Sequence, residues 1–266
     1  MGQLRAGPAP GPVASNAMIN LKSKRELEIM RASCRIVAEV LDILRTECRP
    51  GITTRDLDRL AEEETLKRKA KPAFRGYRGF PGSLCASINQ EVVHGIPGPR
   101  VLGEGDIVSL DFGALYEGYY GDAAVTVPIG TIDAQTWALL RVTEECLYLG
   151  IDQMKDGNHL TDISRAIQTH AEAHGFSIVR EFGGHGIGRK LHEDPWVYNY
   201  VADGRGVRLQ PGLVLALEPM VNMGTEKIRI MPDGWTVVTL DGKPSAHFEH
   251  TVAITEEGPE IMTRRD

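Results

Sequence analysis

Residues 105–127 read GDIVSLDFGALYEGYYGDAAVTV and carry two aspartates, Asp111 and Asp122, eleven positions apart. The apolar run before Asp111 is typical of a buried strand, and the run after Asp122 is typical of a second strand. We predict that the two strands pair as an antiparallel hairpin, in which side chains on one face lie about 5 Å apart. Two carboxylates at that distance repel each other unless a cation or a shared proton lies between them. An isolated pair of this kind is more often a surface strand with a turn aspartate.

The chain contains this arrangement twice. An apolar strand that ends in Glu218 matches the strand that ends in Asp111, and the strand that Glu249 opens matches the one that Asp122 opens. The tripeptide His-Gly-Ile also occurs twice, upstream of each pair of strands. Matches in the same order indicate a duplicated half. Two halves related by an approximate twofold axis would bring four carboxylates together at their junction, where a pocket is expected.

The length and the ends of the chain bound its organisation. At 266 residues, the duplication favours a single catalytic domain over residues 18–266, with internal halves of about 23–130 and 131–258. Residues 1–17 are too rich in glycine, proline and alanine to form a core, so we expect a disordered extension or a cloning remnant there. Helical periodicity predicts helices over 23–45, 53–69, 134–154 and 161–173.

The composition excludes several classes of protein. Thirty basic and thirty-six acidic residues give no electrostatic case for nucleic-acid binding. The four cysteines lie far apart without a Cys-x-x-Cys pair, which favours a reducing compartment and predicts a cytoplasmic protein. No apolar run approaches the roughly twenty residues that span a membrane.

The duplicated acids, together with His185, form a hard, oxygen-rich ligand set. Such a set suits two divalent ions, Co, Mn, Fe or Zn, better than a structural zinc bound by thiolates. A pair of ions of this kind activates water for hydrolysis. The sequence has no Gly-x-Ser-x-Gly motif and no phosphate-binding loop, so a hydrolase that depends on metal is the favoured class.

Five short motifs carry a resemblance to a known family. They are SLDFG (109–113), GD (121–122), GGHGIG (183–188), LEPM (217–220) and FEHT (248–251). From residue 23 to its C-terminus the chain resembles the methionine aminopeptidases of type I. The resemblance implies an α+β fold of the pita-bread type, with two pseudo-symmetric halves of helices packed on an antiparallel sheet around a central dinuclear metal site.

The resemblance also implies the ligand set and its division. Asp111 would bind one ion, Asp122 and Glu249 would bridge both ions, and His185 with Glu218 would complete the shell of the other. Two further histidines match catalytic positions of the family that do not bind metal, His94 in NQEVVHGIP and His192 in RKLHEDP. The residues expected to line a pocket for the methionine side chain are Tyr77, Phe80, Cys85, Phe182 and Trp235.

The function implied is metal-dependent removal of the N-terminal methionine from peptides and nascent proteins when the second residue is small. A proline-specific aminopeptidase of the same fold is one alternative, although those relatives usually carry an additional N-terminal domain. A non-catalytic pita-bread binding protein is the other, although such relatives typically lose ligands. The implied partners are N-terminal methionyl peptides and nascent chains. A monomer is expected, and ribosome association is left open.

Overall fold

The structure is a computed structural model and describes residues 19–264. The expected disordered segment 1–17 therefore lies outside the described residues.

Side-chain caps mark the beginnings of the helices. The hydroxyl of Ser23 accepts a hydrogen bond from the backbone N–H of Glu26 (3.4 Å). The Glu26 carboxylate in turn accepts one from the backbone N–H of Ser23 (2.9 Å). Reciprocal caps of this kind each stabilise a helix by about 1 kcal/mol.

The helices follow the predicted ranges closely. They are α1 (Lys24–Glu47), α2 (Thr54–Lys67), α3 (Ala134–Ile151) and α4 (Leu160–Ala173), with a 3-10 turn at Tyr77–Gly79. The third helix ends before the predicted Met154 because the chain tightens there, with the Met154 N–H donating to the carbonyl of Ile151 at 2.9 Å. None of the helices between residues 19 and 264 is both long enough and apolar enough to cross a membrane.

Short strands make up most of the remaining regular structure. They are β1 (Lys71–Pro72), β2 (Cys85–Ile88), β3 (Glu91–Val93), β4 (Ile107–Tyr116), β5 (Tyr119–Pro128), β6 (Ser177–Ile178), β7 (Gly184–Gly186), β8 (Glu193–Val197), β9 (Val214–Leu217), β10 (Met220–Asn222), β11 (Ile228–Ile230), β12 (Val237–Thr239), β13 (Ser245–His247), β14 (Glu249–Thr255) and β15 (Gly258–Ile261). The largest sheet in the described part of the chain runs β1-β4-β5-β14-β9-β7-β8, with β2 paired to β4 and β15 to β14. All of its pairs are antiparallel. The predicted α+β architecture, helices on an antiparallel sheet, is confirmed.

The alternation of side chains along β4 separates the core from the opposite face of the sheet. Leu110 and Phe112 are fully buried in an apolar cluster with α1 and α2, whereas Asp111 between them points to the other face. On the second half, Leu215 and Leu217 of β9 pack in the same way among residues of α3 and α4. Each large apolar side chain buried in this manner contributes about 1.5–3 kcal/mol.

One glycine allows the strands of the second half to approach closely. A Cβ atom on Gly184, in β7, would collide with the carbonyl oxygen of Ala216 in β9 and lie 3.3 Å from the Cβ of Val197 in β8. Because the next residue, His185, pairs with Ala216, the spacing at Gly184 also sets the position of the His185 side chain.

We predict that Gly184→Ala lowers the free energy of unfolding by about 1–3 kcal/mol, because the added methyl group forces two paired strands apart. Gly98→Ala is the matched control, since a Cβ on Gly98 has only the Ile96 carbonyl oxygen nearby, at 3.9 Å. That change should cost less than about 0.5 kcal/mol. Urea unfolding of both variants measures the difference, and equal midpoints would show that β7 can shift without cost.

Candidate metal centre

Five strands that are neighbours in the sheet each supply one of the predicted ligands. Asp111 lies in β4, Asp122 in β5, Glu249 at the start of β14, Glu218 directly after β9 and His185 in β7. These strands follow one another in the order β4-β5-β14-β9-β7. The junction of the two halves is the β5–β14 pair, where Glu249 lies opposite Ala124.

The β4–β5 hairpin forms as predicted, and its turn determines how the two aspartates meet. A two-residue turn, Glu117-Gly118, has φ angles of 47° and 83° and pairs Tyr116 with Tyr119. Two successive positive φ angles are typical of the tight hairpin turn that matches strand twist. In this register Asp122 lies opposite Gly113, two positions from Asp111, so the two carboxylates are diagonal neighbours on one face.

The ligand atoms converge in two overlapping groups. Asp122, His185 and Glu249 each offer an atom within 4.8 Å of the others, and so do Glu218, His247 and Glu249. The Nε2 atom of His185 lies 3.5 Å from Oε1 of Glu218. The other ring nitrogen of His185, Nδ1, lies 2.9 Å from the carbonyl oxygen of Gly186, which fits an Nδ1–H donor and leaves Nε2 free to face the carboxylates.

Burial and mutual repulsion oppose ionisation of the carboxyl groups. Burial raises the pKa of Asp111 to about 7. The pKa values of Asp122, Glu218 and Glu249 lie well above their usual range, first because the groups are buried and then because the other carboxylates of the site are close. Burial lowers the pKa of His185 to about 4, so its imidazole is neutral at physiological pH.

The unpaired atoms of the site fit a cation. One oxygen each of Asp111, Asp122 and Glu249 is buried and has no hydrogen-bond partner among residues 19–264. Buried polar atoms are almost always paired, and a lone buried carboxylate oxygen is costly. Divalent ions bound by carboxylate oxygens and a neutral imidazole would satisfy these atoms and reverse the repulsion.

The two histidines predicted to act without binding metal lie at the edge of the carboxylate cluster. The ring of His192 is stacked on that of Tyr77 at 5.3 Å and lies tilted against that of His185 at 4.2 Å between centroids. The Tyr77 hydroxyl lies 2.9 Å from Nδ1 of His192. Burial and the neighbouring His185 lower the pKa of His192. His94 has a positive φ of 59°, an uncommon conformation for a residue with a side chain, and burial lowers its pKa to about 4.

The predicted pocket residues lie around these histidines. Phe182 packs edge-on against His94 at 5.5 Å, and Trp235 contacts both His94 at 6.2 Å and Phe80 at 5.2 Å between ring centroids. Cys85 is the strand partner of Asp111, which places it beside the carboxylates. Tyr77, Phe80, Cys85 and Trp235 belong to one apolar cluster, whereas Phe182 packs against a second cluster and contacts His94.

Two residues of the site were not predicted from the sequence. Thr251 hydrogen bonds to the backbone of Asp122 in both directions, accepting from its N–H at 3.1 Å and donating to its carbonyl at 2.7 Å. A threonine in an apolar strand gives no signal of this role. His247 is 1% exposed and joins the group around Glu218 and Glu249. Its signal was present in the spacing from Glu249, because residues two apart in an extended segment point to the same side, although the two lie in successive strands, β13 and β14.

Comparison with known proteins identifies the class to which this fold and site belong. The model of metallopeptidase family M24 matches residues 28–256, and the chain belongs to that family. Within it the chain groups with the methionine aminopeptidases. It is 53% identical over 247 residues to methionine aminopeptidase 1 of Bacillus subtilis, covering 93% of this chain and all of the relative.

Solved structures agree with this placement. The crystal structure of methionine aminopeptidase from Thermotoga maritima matches with a TM-score of 0.91 at 47% identity, over 93% of this chain and 100% of that one. Prolidase from Pyrococcus furiosus matches with a TM-score of 0.75 at 22% identity, over 92% of this chain and 66% of that one. The second likeness shows a shared fold alone. The resemblance drawn from the five motifs, and the pita-bread fold that it implied, are thus confirmed.

We predict that the metal-free protein loses stability as the pH rises from 7.5 to 8.5. Unfolded carboxyl groups are fully ionised in this range, whereas burial and the neighbouring carboxylates raise the pKa values of folded Asp122, Glu218 and Glu249 well above their usual range and favour their protonated forms. The folded state then binds more protons, so stability falls by about 1.4 kcal/mol per pH unit for each proton retained. The buried histidines of the site, His94, His185, His192 and His247, have lowered pKa values when folded and are neutral in both states over this range. Urea unfolding of chelator-treated protein at the two pH values measures the change.

The control for this pH effect is Asp122→Asn, which removes one of the titrating groups. The variant should lose less stability over the same pH interval, and saturating divalent metal should remove most of the loss in the wild type. A wild-type stability that is flat or that increases with pH would contradict the protonation of the cluster.

Proposed function

We propose that Asp111, Asp122, His185, Glu218 and Glu249 hold two divalent metal ions, Co, Mn, Fe or Zn, and that this centre removes N-terminal methionine from peptides. The observation that carries the proposal is the convergence of two buried acids, Asp122 and Glu249, and two half-buried acids, Asp111 and Glu218, on one sheet face of a chain 53% identical to a methionine aminopeptidase. Three of the four acids have a buried oxygen without a hydrogen-bond partner. Ions bound there would supply Lewis-acid activation of the attacking water and of the scissile carbonyl.

The division of ligands follows the order of the strands. Asp111, from β4 at one side, would hold one ion, and His185 from β7 and Glu218, directly after β9, would hold the second at the other side. Asp122 and Glu249 come from the two central strands and would contribute to both ions. The 3.5 Å separation of His185 Nε2 and Glu218 Oε1 supports their binding of a common ion, because two atoms each about 2.0–2.2 Å from one metal lie at most about 4.4 Å apart.

The histidines at the edge act on the substrate. His192 directs one ring nitrogen at the Tyr77 hydroxyl, which orients the ring and leaves the other nitrogen for a hydrogen bond to the carbonyl of the bond being cleaved. His94 is held by its left-handed backbone against Phe182 and Trp235, where a neutral imidazole can donate to or accept from the peptide. Positioned hydrogen-bonding groups of this kind contribute about 10²- to 10⁴-fold to rate.

The aromatic residues account for selection of the first residue of the substrate. Phe80, Phe182 and Trp235, with Cys85, form a soft apolar wall, and contacts between a thioether and aromatic rings are favourable by about 0.3–1.5 kcal/mol. The stacked Tyr77–His192 pair narrows the entrance of the pocket on the side opposite this apolar wall. A small second residue passes this rim, whereas leucine or a larger side chain would meet it. N-terminal methionyl peptides and nascent chains are the substrates that this arrangement fits, and the chain acts as a monomer on them.

The same observations support two other functions less well. A proline-specific aminopeptidase would share the carboxylates, and the prolidases do share the fold, but their likeness stops at 22% identity. A non-catalytic binding protein would not need to keep acids buried with unpaired oxygens, since these only destabilise a protein that binds no cation.

The experiment that tests the function compares three peptides with one preparation of enzyme. Met-Ala-Ser should lose its methionine rapidly, and Met-Leu-Ser and Ala-Pro-Ser should react at least about a hundredfold more slowly, because steric exclusion and the loss of apolar contacts both raise the barrier. Chelation should abolish turnover, and Co or Mn should restore it. Mass spectrometry of the products over time provides the rates.

Asp122→Asn is the control variant for this experiment, because it removes one bridging charge but little apolar contact. It should fold and remain inactive in the presence of metal. Cleavage of Ala-Pro-Ser in preference to Met-Ala-Ser would show that the protein is a proline-specific aminopeptidase. Full turnover by protein with no measurable metal would refute the metal-dependent mechanism.

A separate prediction concerns His94. His94→Ala should lower kcat by about 10²- to 10⁴-fold while the metal content stays at the wild-type value, because the side chain contacts the substrate and not a metal. His174→Ala, which changes a histidine on the surface at the end of α4, is the matched control and should leave kcat unchanged. Metal analysis alongside the kinetics checks the assignment. Loss of metal in parallel with activity would identify His94 as a ligand instead.

A further inference from the structure

His247 is a fully buried imidazole that has no hydrogen-bond partner. It is 1% exposed, and neither ring nitrogen bonds to any group within residues 19–264. Buried polar side chains are normally satisfied, and a neutral imidazole left without partners costs stability. The position therefore needs an explanation that the five proposed ligands do not supply.

The ring of His247 faces two of those ligands. Its Nε2 lies 3.8 Å from Oε2 of Glu218 and 3.9 Å from Oε2 of Glu249. Both distances are too long for hydrogen bonds. They do fit atoms that bind one ion, since two ligands at about 2.0–2.2 Å each from a metal lie no more than about 4.4 Å apart.

The junction between the halves shows how His247 reaches this position. Thr126 of β5 accepts a hydrogen bond from the backbone N–H of His247 at 2.9 Å and donates one to its carbonyl at 2.8 Å. Thr251 of β14 makes the same two bonds to the backbone of Asp122. The backbone of His247 is thus held across the β5–β14 junction in the same way as the backbone of Asp122. Each of these two residues lies four positions before the threonine that bonds to the other.

The two carboxylate oxygens of Glu218 lie near different imidazoles. Its Oε1 is the atom near Nε2 of His185, and its Oε2 is the atom near Nε2 of His247. We propose that His247 is a sixth protein ligand of the metal centre and that its Nε2 binds the ion that Glu218 and Glu249 share. This inference rests on the proposed dinuclear centre.

A second imidazole changes which metal the site prefers. Imidazole suits Co, Fe and Zn, whereas a site of carboxylates alone suits Mn and Mg. With His247 in addition to His185, the centre as a whole becomes richer in nitrogen. The centre should therefore discriminate between Co and Mn more strongly than a centre with one imidazole would.

The test is a comparison of Co(II) binding by the wild type, His247→Gln and the control His250→Gln. His250 is a neighbouring imidazole that is hydrogen bonded to Thr263 at 2.8 Å and belongs to no ligand group. Titration calorimetry should give at least about a tenfold weaker Co(II) affinity for His247→Gln, a smaller loss for Mn(II), and unchanged values for His250→Gln. Proton NMR of the Co(II) protein should show two strongly shifted imidazole N–H signals in the wild type and one in His247→Gln.

The outcomes separate this inference from the proposed function. If the wild type binds Co(II) with one shifted imidazole signal and His247→Gln binds it equally well, His247 is not a ligand, while the dinuclear centre stands. If the wild type binds no Co(II), or Asp122→Asn binds it as tightly as the wild type, the centre itself fails and the inference fails with it. Should His247→Gln not fold, the signal count in wild-type protein labelled with ¹⁵N at histidine decides the question alone.

Discussion

Mutual repulsion among four clustered carboxylates, two buried and two half-buried, is the constraint on which the rest of this structure depends. Two unit charges 4 Å apart repel by about 4 kcal/mol in a medium of effective dielectric constant 20. Burial and this repulsion raise the pKa values of Asp122, Glu218 and Glu249, so that in the absence of a cation the protonated forms are favoured. A cluster of this kind is tolerable because the stability of the domain comes from elsewhere, chiefly from the apolar clusters between sheet and helices.

Strand register is the means by which the sheet brings the acids together. Because side chains alternate, a slip of one residue in β4 or β14 would turn a carboxylate into the apolar cluster and an apolar residue into the site. Two devices hold the register. The Glu117-Gly118 turn fixes β4 against β5, and the paired threonine bridges fix β5 against the segment around Glu249. The catalytic geometry is therefore a consequence of backbone pairing more than of side-chain packing.

The sequence predicted those parts of the molecule that local patterns encode. Period-two alternation gave the β4–β5 hairpin and the face that carries Asp111 and Asp122, and Ser23 with Glu26 gave the start of α1. The repetition of the acids suggested a shared site, but only non-local pairing places β5 beside β14. That pairing depends on contacts between residues more than a hundred positions apart, for which the local sequence has no signal.

His247 illustrates the same limit at the level of one residue. Its spacing from Glu249 is visible in the sequence, yet a histidine on an apolar strand is usually structural, and the resemblance to a family directs attention to the family's ligands only. Recognition of His247 required three facts from the fold: its burial, the lack of partners for both nitrogens, and the proximity of two carboxylates from different strands.

The metal centre and the specificity of the protein are built on different kinds of structure. The acids and His185 lie on strands or directly beside them, where neighbouring backbone fixes each Cα, whereas Tyr77, Phe182 and Trp235 lie in a 3-10 turn and in loops. Loops tolerate change more readily than paired strands. Under the proposed function, substitution at the aromatic positions would therefore alter which first and second residues are accepted without moving a carboxylate. A change in β5 or β14 would disturb the metal centre and the junction of the two halves together.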